Sequence, residues 1–375
     1  MAHIQAHTSP ARRASVSAGG VMAIGWTALA ILLSLGLVVL GLYVIAVRPA
    51  ASDATSAVPK VAGGLVAIAA GAIILVRYSR VARAYSRERD VRVLRETMNA
   101  DLVQAFLLIV LASVLFPVLW ILSMSLDPRD FSRPTGLTII PPGATLDAYA
   151  RVLTNPSPNP VTFLQLLRNS LLVAAGTAAL AVAVGTTAAY AFSRFNFPGR
   201  RIGMLGFVLV LMIPPGGTLA PLFVLLTAVG LRTSLVGLAI AYTSTALPFA
   251  IWNMKGFIDA LPFDLEEAAM IDGCSRTQGF LRVILPLAVP GMAVTALWGF
   301  LTGWSEFILA WTFLSDPPTF TLPMVLRGMV GQYAAGTSWA MFSAMSIVMS
   351  IPAVMVFFFL QRYLVSGLAA GGVKG

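Results

Sequence analysis

Ionisable and metal-binding side chains are scarce in this sequence. Only 11% of its 375 residues are charged, against 58% that are hydrophobic. A soluble domain carries about a quarter charged residues, so this composition excludes an ordinary water-soluble globular protein. There is one cysteine, Cys274, and two histidines, His3 and His7, both in a polar N-terminal stretch. No disulfide can close within the chain, and no Cys/His metal site can be assembled. A phosphate-binding loop of the form GxxxxGK[ST] is missing; the terminal GGVKG, residues 371–375, lacks both its spacing and its hydroxyl. The apolar runs are continuous rather than alternating, which excludes a membrane β-barrel.

What the sequence has is long apolar runs. Eight stand out, at 21–47, 61–76, 102–126, 169–193, 202–228, 234–254, 287–313 and 339–361. About 20 residues of helix cross a ~30 Å hydrocarbon core, and lipid leaves a lone strand's backbone unsatisfied. The expectation is an all-α, polytopic membrane protein with eight spans, the second of them short. The first run is longer than the roughly 7–15 apolar residues of a signal peptide and reads as a retained span. The net charge is +10, but the basic residues lie between apolar runs, which points to membrane topology and away from nucleic acid. With the N-terminus in the cytoplasm, 17 Lys and Arg fall inside and 8 outside. By the positive-inside rule, both termini are cytoplasmic.

Two zones differ from the rest. Residues 77–100 contain Arg77, Arg80, Arg83, Arg87, Arg89, Arg92 and Arg95. Their spacing predicts an amphipathic cytoplasmic helix, either lying on anionic lipid or forming a solvated linker. It separates an N-terminal part (1–100, a tail and two spans) from a six-helix part (101–375). The other zone, 127–168, is a long outer loop rich in Pro, Asp and Asn.

Residues 255–286 form the longest cytoplasmic loop of the six-helix part, and 266–286 within it read EEAAMIDGCSRTQGFLRVILP. Pro262 and Asp264 suit a helix start, and Glu266 and Glu267 favour the positive end of the helix dipole. Ala268 and Ala269 give a small packing face. Gly273 suits a left-handed turn that bulky residues avoid. A second apolar-faced helix follows, and Pro286 closes it. Such a rigid helical knob suits docking into a groove on a partner.

This stretch closely resembles the EAA motif of binding-protein-dependent ABC importers: EAA, three residues, G, nine residues, I-x-LP. The matching residues are Glu267, Ala268, Ala269, Gly273, Val283, Leu285 and Pro286, with Val283 in place of Ile. The end of the chain, LVSGLAAGGVKG at 364–375, is similar to the tail of MalG-type permease subunits. Trp252, Lys255, Gly256 and Phe257 resemble the segment before the motif in that subunit, and 115–126 its first core span. The resemblance covers about 102–375 and leaves the first two spans as an addition.

The resemblance implies a type I ABC importer permease core of six transmembrane helices in the cell inner membrane. It also implies a second, MalF-type permease subunit, two copies of a MalK-type ATPase that bind ATP and magnesium, and an extracytoplasmic sugar-binding protein. The chain itself would be no enzyme and hold no cofactor. The EAA helices would dock on the ATPases. The tail residues Gly371, Gly372, Val373, Lys374 and Gly375 would enter the interface between them. Asp316, Pro317, Pro318 and Thr319, in the outer loop between the last two spans, would face the binding protein. Maltose, maltodextrin or another disaccharide such as trehalose is the implied cargo.

Within the spans, Glu306 is a costly carboxylate and a candidate for the sugar pathway or an inter-subunit pair, with water exposure near the outer end as the plain alternative. Trp304 offers an aromatic face beside it, although packing is the commoner use of such a residue. Pro214 and Pro215, with Gly216 and Gly217, interrupt the fifth run and mark either a pathway break or a passive kink. An ion-coupled secondary carrier would need internal repeats and paired midplane charges, and neither is visible. A structural or signalling membrane protein would make the EAA spacing accidental.

Overall fold

The computed structural model describes residues 18–46, 54–88, 91–129, 140–213, 215–330 and 337–371, and among these it is helical with no strand. The chain divides into two compact units, Met1–Phe116 and Pro117–Gly375.

In the first unit, α1 (Ala18–Ala46) packs along α2 (Ala54–Glu88), and α3 (Val91–Ser125) follows. The α1–α2 contact is close because Gly71 has no side chain: a Cβ there would lie 2.7 Å from the Ser34 carbonyl. The Trp26 indole N–H donates to the Tyr78 hydroxyl at 2.9 Å. The basic stretch 77–100 does not form the separate amphipathic helix expected for it. Arg77, Arg80, Arg83 and Arg87 are carried on the last turns of α2, and Arg92 and Arg95 on the first turns of α3. Arg89 lies outside the described residues. Helical periodicity is continuous from the apolar run into the basic one, so the helix continues past the apolar boundary. Arg77 then pairs with Asp101 at 2.5 Å.

The second unit is built around α5 (Phe163–Arg194), α8 (Leu235–Asp259) and α12 (Val289–Ser305). Lipid removes the hydrophobic drive between membrane helices, so association rests on close packing of small residues. Added Cβ atoms would approach to 2.9 Å at Gly185 against Ala250, 3.0 Å at Gly299 against Ala178 and 2.8 Å at Gly303 against Ala174. Around these three lie α6 (Arg200–Leu211), α7 (Pro215–Ala228), α13 (Ile308–Phe313), α14 (Leu322–Gly328) and α15 (Trp339–Gly371). Within the 127–168 zone, α4 (Asp147–Thr154) buries Ala148 and Val152 in the core with Leu166 and Met345.

Among the described residues, five helices are long and apolar enough to span a membrane, and two bent pairs bring the number to seven. The second apolar run, 61–76, lies in α2 and is not one of the seven. The fifth run is a bent pair: α6 and α7 meet at 106°. The seventh run, expected as one span over 287–313, is broken once within its length. It sets off at 75° from the helix before it, at Ala288, and α12 stops at Glu306, whose backbone is extended. Apolar composition reports immersion in lipid and carries no information on the backbone's direction.

Candidate functional site

The EAA stretch folds as expected into helix, glycine turn and helix. The first helix is α9 (Asp264–Ile271), with Asp264, Glu266 and Glu267 in its first turn. Gly273 has φ +87°. Its N–H donates to the Met270 carbonyl at 3.1 Å, and the Cys274 N–H to the Ala269 carbonyl at 3.0 Å. These two bonds form a Schellman cap on the free carbonyls of α9. The second helix starts at Ser275, whose hydroxyl accepts from the Gln278 N–H while the Gln278 side chain accepts from the Ser275 N–H. That helix comprises α10 (Arg276–Gly279), a π turn at Phe280–Ile284 and α11 (Leu285–Leu287). Val283 lies in the π turn, and Leu285 and Pro286 in α11, which ends where the axis turns toward α12.

The loop is fastened to α5 by groups that no motif marks. Glu266, one residue before the EAA string, is buried. Its carboxylate accepts from the Arg194 Nε at 2.5 Å and from the Tyr190 hydroxyl at 3.0 Å. The Arg194 side chain is 2% exposed. It also donates from Nη2 to the Leu261 carbonyl at 2.9 Å and lies 4.1 Å from the Phe263 ring centroid. The Tyr190 ring packs on Phe280 at 4.4 Å, and Arg276 lies over Phe195 at 5.2 Å. Beside this cluster the Ser193 hydroxyl donates to Asp259 at 2.6 Å, and Lys255 pairs with Asp259.

The other face of the loop is open. Glu267 and Ala268 are exposed while Ala269 is buried. Phe263, Leu265, Met270 and Leu281 are exposed apolar residues, and Ile271 is 86% exposed. An apolar, ordered surface on a short helix is suited to a protein groove.

At the opposite end of α5, a second segment is held just as firmly. Pro317–Thr319 form a 3₁₀ turn with Asp316 and Pro318 exposed. The Asn169 side-chain amide donates to the Pro318 and Phe320 carbonyls at 2.8 and 2.9 Å. Gln165 adds a bond to Pro318 at 3.1 Å, and the Ser170 hydroxyl accepts from the Leu322 N–H at 2.8 Å. Beside the turn is a cleft of about 670 Å³ whose lining includes Asn155, Asn159, Trp311 and Phe320.

Among the described residues, no hydrogen bond or ring contact joins Glu306 to Trp304. The Glu306 carboxylate accepts from the Ile308 and Leu309 N–H groups at 2.7 and 3.0 Å, capping α13 where the seventh run breaks. Trp304 is 2% exposed. It stacks on Phe300 and donates to the Met349 carbonyl at 3.0 Å, so in this conformation it packs α12 against α15. Pro215 opens α7, and Pro214 lies outside the described residues. Gly371 is the last residue of α15; Gly372, Val373, Lys374 and Gly375 lie outside the described residues.

Sequence reasoning missed Arg194, Tyr190, Asn169 and Ser170, which lie within apolar α5 or at its end. The signals were present: Tyr190 and Arg194 are spaced i, i+4 at the end of an apolar run, and Ser275 with Gln278 is a capping-box pair.

Residues 163–369 match the sequence profile described as "Binding-protein-dependent transport system inner membrane component". The chain is 37% identical over 262 residues to the galactooligosaccharides transport system permease protein GanQ of Bacillus subtilis, covering 70% of this chain and 91% of that one. It is 32% identical over 288 residues to the trehalose/maltose transport system permease protein MalG of Thermococcus litoralis, covering 74% of this chain and all of that one. Its fold matches a chain of a bacterial ABC transporter that imports the acidic polysaccharide alginate, with a TM-score of 0.59 and 23% identity over 72% of this chain and 98% of that one.

Proposed function

Because the chain belongs to the binding-protein-dependent transport system inner membrane component family, as a permease subunit of the carbohydrate ABC-importer kind, we propose that it conducts a disaccharide or short oligosaccharide delivered by an extracytoplasmic binding protein. Maltose, maltodextrin and trehalose lead. The tail resembles MalG-type subunits, and the Thermococcus relative is named for trehalose and maltose. Glu306 and the break at Pro214 and Pro215 remain the candidates for the pathway.

The observation that carries this reading is the EAA loop: one face is fastened to α5, and the other is open and apolar. Two copies of an ATPase subunit would bind the open faces of this chain and of a MalF-type partner. When the ATPases close on ATP and magnesium, α9 is displaced, and the contacts at Arg194 and Tyr190 carry the displacement into α5. The opposite end of α5 holds the 316–319 turn, which is where the binding protein would be sensed. In this reading the tail, Gly371 to Gly375, lies between the ATPase subunits, and both chain termini are cytoplasmic. An ion-coupled carrier gains nothing from the structure, since the Glu306 carboxylate is engaged in capping α13.

The test is the complex reconstituted in liposomes with its binding protein and assayed for ATP hydrolysis across a panel of maltose, maltotriose, trehalose and galactooligosaccharides. Stimulation by at least one of these is expected; a flat response across the panel would refute the function. Two truncations refine it. Removing 369–375 is expected to weaken ATPase co-purification or uncouple hydrolysis from uptake. Removing 1–90, up to the start of α3, is expected to preserve sugar-stimulated hydrolysis, and its complete loss in a well-inserted protein would place the first two helices in the transport machinery.

A further inference from the structure

Arg194 and Glu266 do more than fill space at the end of α5. We infer that this buried ion pair is the joint through which α5 and the coupling loop move as one body, with Arg194 and Glu266 as positioning residues for transport. The inference rests on the permease reading above.

Three observations carry it. First, the guanidinium reaches two different parts of the loop region at once: Nε bonds Glu266 on α9, and Nη2 bonds the Leu261 carbonyl before α9. A planar fork that holds two points fixes orientation as well as distance. Second, the joint is largely shut off from water. The Arg194 side chain is 2% exposed and that of Glu266 12%; the Tyr190 hydroxyl donates to Glu266, and the guanidinium lies over the Phe263 ring. In such a setting one partner cannot leave without stranding a charge. The joint therefore resists being pulled apart under load. Third, the same helix is fastened at its far end through Asn169 and Ser170 to Pro318, Phe320 and Leu322. At 1.5 Å per residue, Asn169 and Arg194 are about 37 Å apart along one helix. A rod fixed at both ends transmits displacement; one fixed at a single end does not. A buried pair is weak evidence for stability, so retaining one here calls for another use.

The complex with its ATPases and binding protein in liposomes is the test, read as ATP hydrolysed per sugar taken up. The double variant Arg194→Met with Glu266→Met removes both charges together and keeps apolar volume, so no charge is stranded, though the Tyr190 hydroxyl and the Leu261 carbonyl lose these partners. In assembled complexes it is expected to raise that ratio at least about fivefold, the lower end for coupling between distant sites. Glu266→Gln keeps the shape but gives up charge assistance and leaves the buried Arg194 charge without its counter-charge, and is expected to raise the ratio by at least about fivefold as well. An unchanged ratio in the double variant overturns the joint. So does a loss of activity that only tracks loss of ATPase from the complex. Should the double variant fail to insert, the Glu266→Gln ratio decides in the same way. A wild-type complex without sugar-stimulated hydrolysis overturns the permease reading itself, and the joint with it.

Discussion

Substitutions at Gly273 separate two reasons for having a glycine in the EAA loop. With φ at +87°, the position lies where L-residues other than glycine are strained. The cost for alanine is about 1–2 kcal/mol. Nothing lies within 4 Å of a Cβ built there, so within this chain the penalty is conformational and not steric. A shift of 1–2 kcal/mol lowers the ratio of the native turn to its alternatives about 5- to 30-fold. Asparagine enters the left-handed region more readily than alanine and is expected to retain most activity. Proline is the severe case. It fixes φ near −65° and removes the N–H that bonds the Met270 carbonyl, so the Schellman cap cannot form. The expected order of sugar-stimulated ATP hydrolysis is glycine, asparagine, alanine, proline, with proline near zero at normal membrane levels. If the position were instead a tight contact with the ATPase, the larger asparagine would do worse than alanine. That inverted order, or normal uptake by Gly273→Pro, would refute the coupling-turn reasoning.

Glu306→Ala leaves the Ile308 and Leu309 amides uncapped and is expected to cost the purified protein about 1 kcal/mol in thermal or denaturant unfolding, with Glu306→Gln costing less; equal losses would rule out the cap. If Glu306 also lines the pathway, Glu306→Gln lowers uptake without a matching loss of stability. Asn169→Leu removes two hydrogen bonds to the 318–320 carbonyls and, at about 1 kcal/mol for one net bond, is expected to raise the binding-protein concentration for half-maximal ATP hydrolysis about fivefold; an unchanged titration would detach that turn from binding-protein recognition. Single cysteines at Ser86 and Ser366, after Cys274 is replaced, are expected to react with an impermeant maleimide only in permeabilised cells, and one at Asp316 in intact cells; labelling of either of the first two from outside contradicts the orientation drawn from the basic residues.

What was legible in the sequence was what depends on composition and short-range chemistry. Apolar length gave the expected spans except the one at 61–76, because a helix must cover a fixed thickness of hydrocarbon. The EAA spacing located the loop, and Gly273 took the left-handed conformation that its position after α9 requires. What was not legible depends on direction and on partners distant in sequence. The runs at 202–228 and 287–313 look uniform in hydropathy, yet the first bends sharply and the second is interrupted at Glu306. The 77–100 stretch changes polarity without changing periodicity, so the chemistry shifts while the helices of α2 and α3 carry on. Tyr190, Arg194 and Asn169 sit on or at the end of an apolar helix, where their partners 72 and 149 residues away leave no trace in local pattern.

The breaks in these helices explain why polar groups are found where they are. Each interruption frees backbone N–H or C=O groups, which in an apolar surrounding must find partners. The chain supplies one at each described break that matters to the proposed function. Glu306 receives the amides that open α13, and the Ser170 hydroxyl receives the Leu322 amide at the start of α14. The Schellman bonds after Ile271 and the Ser275–Gln278 box close the two halves of the EAA loop. A span without breaks would need none of these residues, and it would offer neither an ordered outer turn nor a rigid knob at the other end. Satisfying the breaks locally makes both ends of α5 stiff, and stiffness at both ends is what a helix needs if a movement imposed on one is to appear at the other.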